Sequence, residues 1–225
     1  MIGARSLARK TGVIRLVNQL RRNRPYEERF HEALIHAIQP GDVVWDVGAN
    51  VGLYTEQFCQ WVGERGFVVA FEPSPESSGK ILQRLPGCPW LRVENIALSD
   101  TDTVMRLALF AESVNNQLQT GGAGDDTNTI PVTVERGDTV HKRLERTPNA
   151  IKVDVEGFEE EVLLGMDHLL TAPELRTVLV EVHFTKLEQR GRATAPVRIE
   201  RLLRSRNFVT KWVDPSHLVA SRRSA

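Results

Sequence analysis

Val43-Val44-Trp45-Asp46-Val47-Gly48-Ala49-Asn50-Val51-Gly52 decides how this chain folds. A short apolar run ends in an acid, turns through small residues and opens into a helical pattern at Tyr54-Thr55-Glu56-Gln57-Phe58. Strand, tight loop and helix in that order mark the ligand-cradling start of a doubly wound α/β domain. Gly48 and Gly52 let the backbone approach a ligand closely, because no Cβ intervenes and positive φ is open to them. Asn50 stands where a third glycine is expected, and asparagine tolerates the left-handed conformation.

The loop lacks both the dinucleotide pattern G-x-G-x-x-G and the P-loop pattern with its lysine. Its pattern is D-x-G-x-x-x-G, and Phe67-Val68-Val69-Ala70-Phe71-Glu72 follows as a second strand ending in an acid. An acid at that position accepts hydrogen bonds from both ribose hydroxyls of a nucleoside cofactor. With Glu72 present and no phosphate-binding lysine, S-adenosylmethionine fits better than NAD or ATP.

Outward from this core, Pro25 is expected to break the helix of the preceding arm, and Phe30, Leu34 and Ile38 share one face of a second helix expected over 26–38. Downstream, helices are expected over 54–62 and 77–85 and a third strand over 91–96. Segments 104–110 and 130–135 read as strands, separated by a polar stretch at 115–128 with a glycine-rich loop at 121–126. Alternation resumes with a strand at 150–157, a helix at 158–166 and a strand at 177–183. A helix at 196–205 precedes two strands with no helix between them, which predicts an antiparallel hairpin at the C-terminal edge.

At 225 residues the chain is expected to be one domain with a substantial core. Cys59 and Cys88 form neither a metal spacing nor a disulfide framework, and no run reaches the length of a membrane span. A cytoplasmic protein is expected. The zero net charge hides an asymmetry, since residues 1–24 carry seven basic side chains and no acid, leaving about −7 on the remainder. Val13, Leu16, Val17 and Leu20 give this arm helical amphipathicity. It reads either as a helical cap on the domain or as a peripheral contact with a membrane surface, nucleic acid or an acidic partner.

The fourth and fifth strands carry charges where buried parallel strands are usually apolar throughout. Period two puts Lys152, Asp154 and Glu156 on one side of one strand, and Glu181 and His183 on one side of the other. Charges at the carboxyl ends of parallel strands fall in the crevice where α/β ligands bind. These five are the candidate catalytic residues. His183 is the expected general base, from its near-neutral ordinary pKa. The rival is magnesium held by Asp154 and Glu156 or Glu181.

Asp46-Val47-Gly48-Ala49-Asn50-Val51-Gly52, Glu72-Pro73, Asn95-Ile96-Ala97-Leu98-Ser99-Asp100, Ile151-Lys152-Val153-Asp154-Val155-Glu156-Gly157 with Glu159, and Glu181-Val182-His183 together resemble the ordered motifs of FkbM-type methyltransferases. The resemblance implies a Rossmann-like class I methyltransferase: a doubly wound, mostly parallel seven-stranded sheet with an antiparallel C-terminal strand. It implies S-adenosylmethionine as cofactor and O-methylation of a hydroxylated polyketide, sugar or glycolipid. Asp46, Gly48, Ala49, Asn50 and Gly52 would surround its methionine portion, Glu72 the ribose and the turn at Ala97 the adenine, with Asp154 alongside. The expected organisation is a basic helical arm and cap at 1–39 and a methyltransferase domain at 40–225, with 101–138 inserted near the substrate mouth. The [DN]-P-P-[YF] signature of N-methylation is missing, and neither cysteine sits at a strand end for covalent catalysis. Nucleic acid is therefore not the expected acceptor. An RNA-binding or catalytically silent S-adenosylmethionine-binding module using the arm is the alternative.

Overall fold

The computed structural model describes residues 24–109, 117–119 and 129–223, so the arm's amphipathic stretch and the 121–126 loop lie outside the described residues. In chain order, α1 (Arg24–Ala37) leads into β1 (Val43–Val47), α2 (Leu53–Val62), β2 (Phe67–Phe71), α3 (Pro75–Arg84) and β3 (Leu91–Glu94). Then come β4 (Ala97–Ser99), β5 (Thr103–Ala108), β6 (Gln117–Gln119), β7 (Thr129–Arg136), α4 (Gly137–Leu144) and β8 (Ala150–Val153). α5 (Glu159–Leu164) and a 3₁₀ turn at Leu169–Thr171 precede β9 (Thr177–Glu181), α6 (Phe184–Gln189), α7 (Ala195–Ser205), β10 (Phe208–Trp212) and β11 (His217–Arg222).

The main sheet has seven strands in the order β10-β11-β9-β8-β1-β2-β3. β11 is antiparallel to both its neighbours and the remaining pairings are parallel, so the expected architecture is present. The central strands are apolar on both faces because helices cover both. Trp45, Val47, Val69, Phe71, Ile151 and Val153 face the side where Val162 and Leu163 of α5 and Ile199 and Leu203 of α7 pack. Val44, Val68, Ala150 and Leu179 face the opposite side, against Phe30 and Leu34 of α1 and Phe58 and Val62 of α2. Period two therefore holds through the sheet, and it places Asp46 and Lys152, register partners in β1 and β8, on the α2 side.

Three sequence expectations change. Pro25 stands inside the first turn of α1 rather than before it, where its missing N–H costs no helical hydrogen bond. The third strand ends at Glu94, and Ala97 is not in a turn: Ala97–Ser99 is β4, the edge of a second sheet ordered β4-β7-β5-β6. The Asn95 side chain donates to the carbonyls of Glu72 (2.8 Å) and Pro73 (3.1 Å), which holds the chain to the β2 end between the two sheets. Finally, β8 stops at Val153, and Glu156 (φ 56°) and Gly157 (φ 96°) are left-handed. Asp154 and Glu156 thus stand on a loop past the strand, not on one strand face.

In the second sheet β5 pairs antiparallel with β7 across 103–108 and 129–134, around Leu107, Val132 and Val134. Among the described residues no helix is long and apolar enough to cross a membrane. Gly165, at the C-terminus of α5, joins the second sheet to the first: a Cβ there would lie 1.9 Å from the Ser99 carbonyl oxygen. Gly165→Ala is expected to lower stability by about 1–3 kcal/mol or more, as overpacking against backbone does. Urea denaturation at unchanged m-value measures it.

Candidate active site

The carboxyl ends of β1, β2 and β8 meet at an open cleft of about 670 Å³. Gly48 and Ala49 both donate their N–H groups to the Phe71 carbonyl at 3.0 Å, which folds the loop after β1 over the end of β2. Gly48 has φ 81°, and a Cβ on it would fall 1.8 Å from the Asp154 carbonyl oxygen. Only glycine lets these two loops touch. Asn50 is left-handed at φ 51° and donates its N–H to Glu72 Oε2 at 2.8 Å. Glu72 Oε1 accepts the Ser74 N–H at 2.8 Å. Burial pushes the Glu72 carboxyl up to about 7, against the opposing pull of those two amides. Each of its oxygens keeps a second lone pair for a hydroxyl donor.

Gly48, Asn50, Glu72, Ala97, Asp154 and Glu156 line the cleft, and Phe71, Ile96, Leu98, Leu107, Leu118 and Phe158 give it apolar walls. Ala49 packs instead against Ala70 and Ile81, and Gly52 begins α2 at φ 81° close to Ile81. Asp46 is fully buried: it accepts from Thr55 Oγ1 (2.7 Å) and from Lys152 Nζ (3.2 Å). Lys152 also lies 3.3 Å from Asp154 Oδ2. Burial would strip the proton from Lys152, but the charges of Asp46 and Asp154 overcome it and hold its pKa above the ordinary lysine value.

Beyond Asp154 the cleft ends in a charged cluster. His183 Nε2 lies 3.3 Å from Glu156 Oε2, 3.7 Å from Asp154 Oδ1 and 3.8 Å from Glu181 Oε1. Its Nδ1 is 2.8 Å from Glu159 Oε1, which also accepts the Gly157 N–H. Burial would lower the His183 pKa, yet the hydrogen bond to Glu159 and the surrounding carboxylates raise it to about 9. Burial raises the Asp154 carboxyl to about 6, with Lys152 opposing. Glu181 is held below the ordinary carboxylate value despite burial, by the hydrogen bond from His217 and the charge of His183.

Among the described residues, Asp154, Glu156 and His183 bring one ligand atom each within 4.8 Å of one another. Glu181, named in the sequence expectation, stands beside this trio with Oε1 3.8 Å from His183 Nε2.

Several supporting residues escaped the sequence reading. Lys186 Nζ is 2.6 Å from Glu156 Oε2. His217 Nε2 is 3.5 Å from Glu181 Oε2, while its Nδ1 is 2.7 Å from Asp214 Oδ2 and its ring stacks on Phe30 at 4.0 Å. Asp214 reads in the sequence as a turn residue, and it does cap that turn through the Ser216 and His217 N–H groups. Only the spacing Asp214-x-x-His217 before an antiparallel strand hints at the second role.

The Asp46–Lys152 pair ties the cofactor loop to the charged cluster. Lys152→Met would leave the Asp46 charge buried with only Thr55 for company, a loss of about 3–5 kcal/mol in stability. Adding Asp46→Asn should restore much of it, as read by thermal unfolding of the two variants and the double variant.

Residues 46–210 match the methyltransferase FkbM domain family. The hexuronic acid methyltransferase AglP of Haloferax volcanii is 30% identical over 160 residues, covering 70% of this chain and 62% of that protein. The 31-O-demethyl-FK506 methyltransferase FkbM of Streptomyces tacrolimicus is 28% identical over 247 residues, covering 89% of each. Among solved structures, an rRNA methylase of Streptococcus thermophilus aligns with TM-score 0.54 at 12% identity, over 86% of this chain and 94% of its own. A Streptococcus mutans protein solved in complex with SAH gives TM-score 0.54 at 10% identity, over 86% and 95%. These structural likenesses speak to fold, whereas the sequence match decides membership. The chain belongs to the FkbM methyltransferase domain family, the S-adenosylmethionine-dependent methyltransferases whose motifs its cleft is built from.

Proposed function

We propose that this chain methylates a hydroxyl oxygen of a small acceptor of the sugar or polyketide kind. One observation carries the reading: a single cleft is lined by Glu72, which suits a ribose, and by Asp154 and Glu156, which with His183 and Glu181 beside them suit a hydroxyl. The names of two relatives, a hexuronic acid methyltransferase and a 31-O-demethyl-FK506 methyltransferase, support the same acceptor chemistry.

Bound S-adenosylmethionine supplies a methyl group that its sulfonium already makes electrophilic. The chain's own work is to hold donor and acceptor in line and to keep water out. Glu72 takes both ribose hydroxyls, and Gly48 and Asn50 give the methionine portion a backbone cradle. Ile96, Ala97 and Leu98 flank the adenine. The acceptor oxygen forms its bond to the methyl carbon as the carbon–sulfur bond breaks, and its proton leaves into the carboxylate cluster. Lys152, behind Asp46 and Asp154, acts as a positioning residue. Leu107 and Leu118, described residues of segment 101–138, stand in the cleft wall, which supports an acceptor mouth on that side.

Incubating the purified protein with S-adenosylmethionine and an extract of a strain lacking it should make one metabolite heavier by one methylene, as a methyl ether. A product methylated on nitrogen or carbon would overturn the proposal. Glu72→Ala should weaken S-adenosylmethionine binding by about 1.5–3 kcal/mol, as for a lost charge-assisted hydrogen bond. Calorimetry showing unchanged affinity would remove the ribose assignment.

Glu72 also makes binding depend on pH. The folded chain holds this proton more tightly than the unfolded chain, so the free protein loses stability as pH rises from 4.5 to about 7. Ribose hydroxyls donating to the carboxylate favour its ionised form. Cofactor binding near pH 6.5 should therefore release part of a proton, and affinity should rise between about pH 6 and 8. Calorimetry in buffers of different ionisation enthalpy measures the released fraction, and Glu72→Gln should abolish it.

A further inference from the structure

We propose that Asp154, Glu156 and His183 form a binding site for one divalent first-row metal ion at the acceptor end of the cleft. The existence of the site stands on geometry, while its role rests on the methyl-transfer reading above.

Ligands about 2.1 Å from an ion stand about 3 Å apart along an octahedral edge. The measured separations are already near that: 3.3 Å from His183 Nε2 to Glu156 Oε2 and 3.7 Å to Asp154 Oδ1. Small rotations of two half-buried carboxylates close the difference. Both acids line the cleft, so an ion there faces the space an acceptor would enter.

Independent of the acids, His183 is prepared as a ligand from behind. Glu159 is fully buried, with one oxygen 2.8 Å from Nδ1 and the other without a hydrogen-bond partner among the described residues. A carboxylate on Nδ1 keeps the hydrogen on that nitrogen and turns the Nε2 lone pair outward, the usual outer shell of a metal-bound histidine. Without an ion, Nε2 must hold a proton to face the three carboxylate oxygens at 3.3, 3.7 and 3.8 Å. One proton serves only one oxygen, and the nearest, at 3.3 Å, is longer than a charge-assisted hydrogen bond. A metal ion satisfies the nitrogen and the oxygens together. Lys186, 2.6 Å from Glu156, neutralises that acid when no ion is bound, and an ion would take its place as the acid's partner.

Two carboxylates and one imidazole suit manganese or ferrous ion better than magnesium, which prefers oxygen throughout. Three protein ligands leave positions for two oxygens of an acceptor, so a vicinal diol or hydroxy acid is the substrate class the site would favour. Binding there would acidify the hydroxyl to be methylated.

The test titrates the chelator-stripped full chain with Mn²⁺, following loss of the free-ion electron paramagnetic resonance signal. One ion per chain is expected, weakened more than tenfold by His183→Ala or Asp154→Asn and about tenfold by Glu159→Gln. Electron spin echo modulation from a bound ¹⁴N should appear in the wild-type complex, which reads histidine coordination even where a variant fails to fold. A folded wild-type chain that binds no Mn²⁺, or binds it without nitrogen coupling, overturns the site. Calorimetry with S-adenosylmethionine on the same stripped protein separates the two claims. Cofactor binding without Mn²⁺ binding refutes the ion alone, whereas Mn²⁺ binding without cofactor binding refutes the methyl-transfer reading alone. With both bound, methyl transfer should vanish on chelation and return with Mn²⁺.

Discussion

Asp46 and Lys152 are register partners in adjacent central strands, 3.2 Å apart and both shut off from water. Two charges in such a place hold only while each has the other and its remaining hydrogen bonds are met. Thr55 meets part of that need for Asp46, and Asp154 does so for Lys152. The pair therefore transmits the position of α2 to the loop after β8. Gly48 adds the second link, since its bare Cα lets the loop after β1 lie against the Asp154 backbone. The loop after β1 and the charged cluster are two ends of one contact, not separate features on a common scaffold.

Much of this was legible because the central strands obey simple rules. Burial on both faces demands apolar runs, so each charge within or just after one stands out, and Lys152, Asp154, Glu181 and His183 were found that way. Gly48, Asn50 and Glu72 were legible for another reason: positive φ and an acid at a strand end restrict residue choice severely. What misled was periodicity carried past a strand's end. Asp154 and Glu156 do meet His183, but through left-handed Glu156 and Gly157, not through alternation.

The residues missed are those whose local role hides a distant one. Asp214 looks like a turn former and is one, yet the same carboxylate orients His217 toward Glu181. Glu159 stood out only within the motif resemblance, and nothing local showed that its carboxylate is fully buried on His183. β4 was lost because three residues carry no period, and only its pairing with β7, more than thirty positions away, makes it a strand. α6, only six residues long, has too little pattern to be read.

The place of β11 has a consequence for how the molecule comes into being. β9 and β10 run the same way but are not neighbours; the strand between them is made last. While the chain emerges from the ribosome, both must wait with open edges until residues 217–222 arrive to bridge them. The same late segment brings His217 to Glu181, so the cluster's charge balance is completed only when β11 joins the sheet. A nascent chain halted before that point would carry two unpaired edges and an unbalanced acid, features that favour association with other chains over completion of its own sheet.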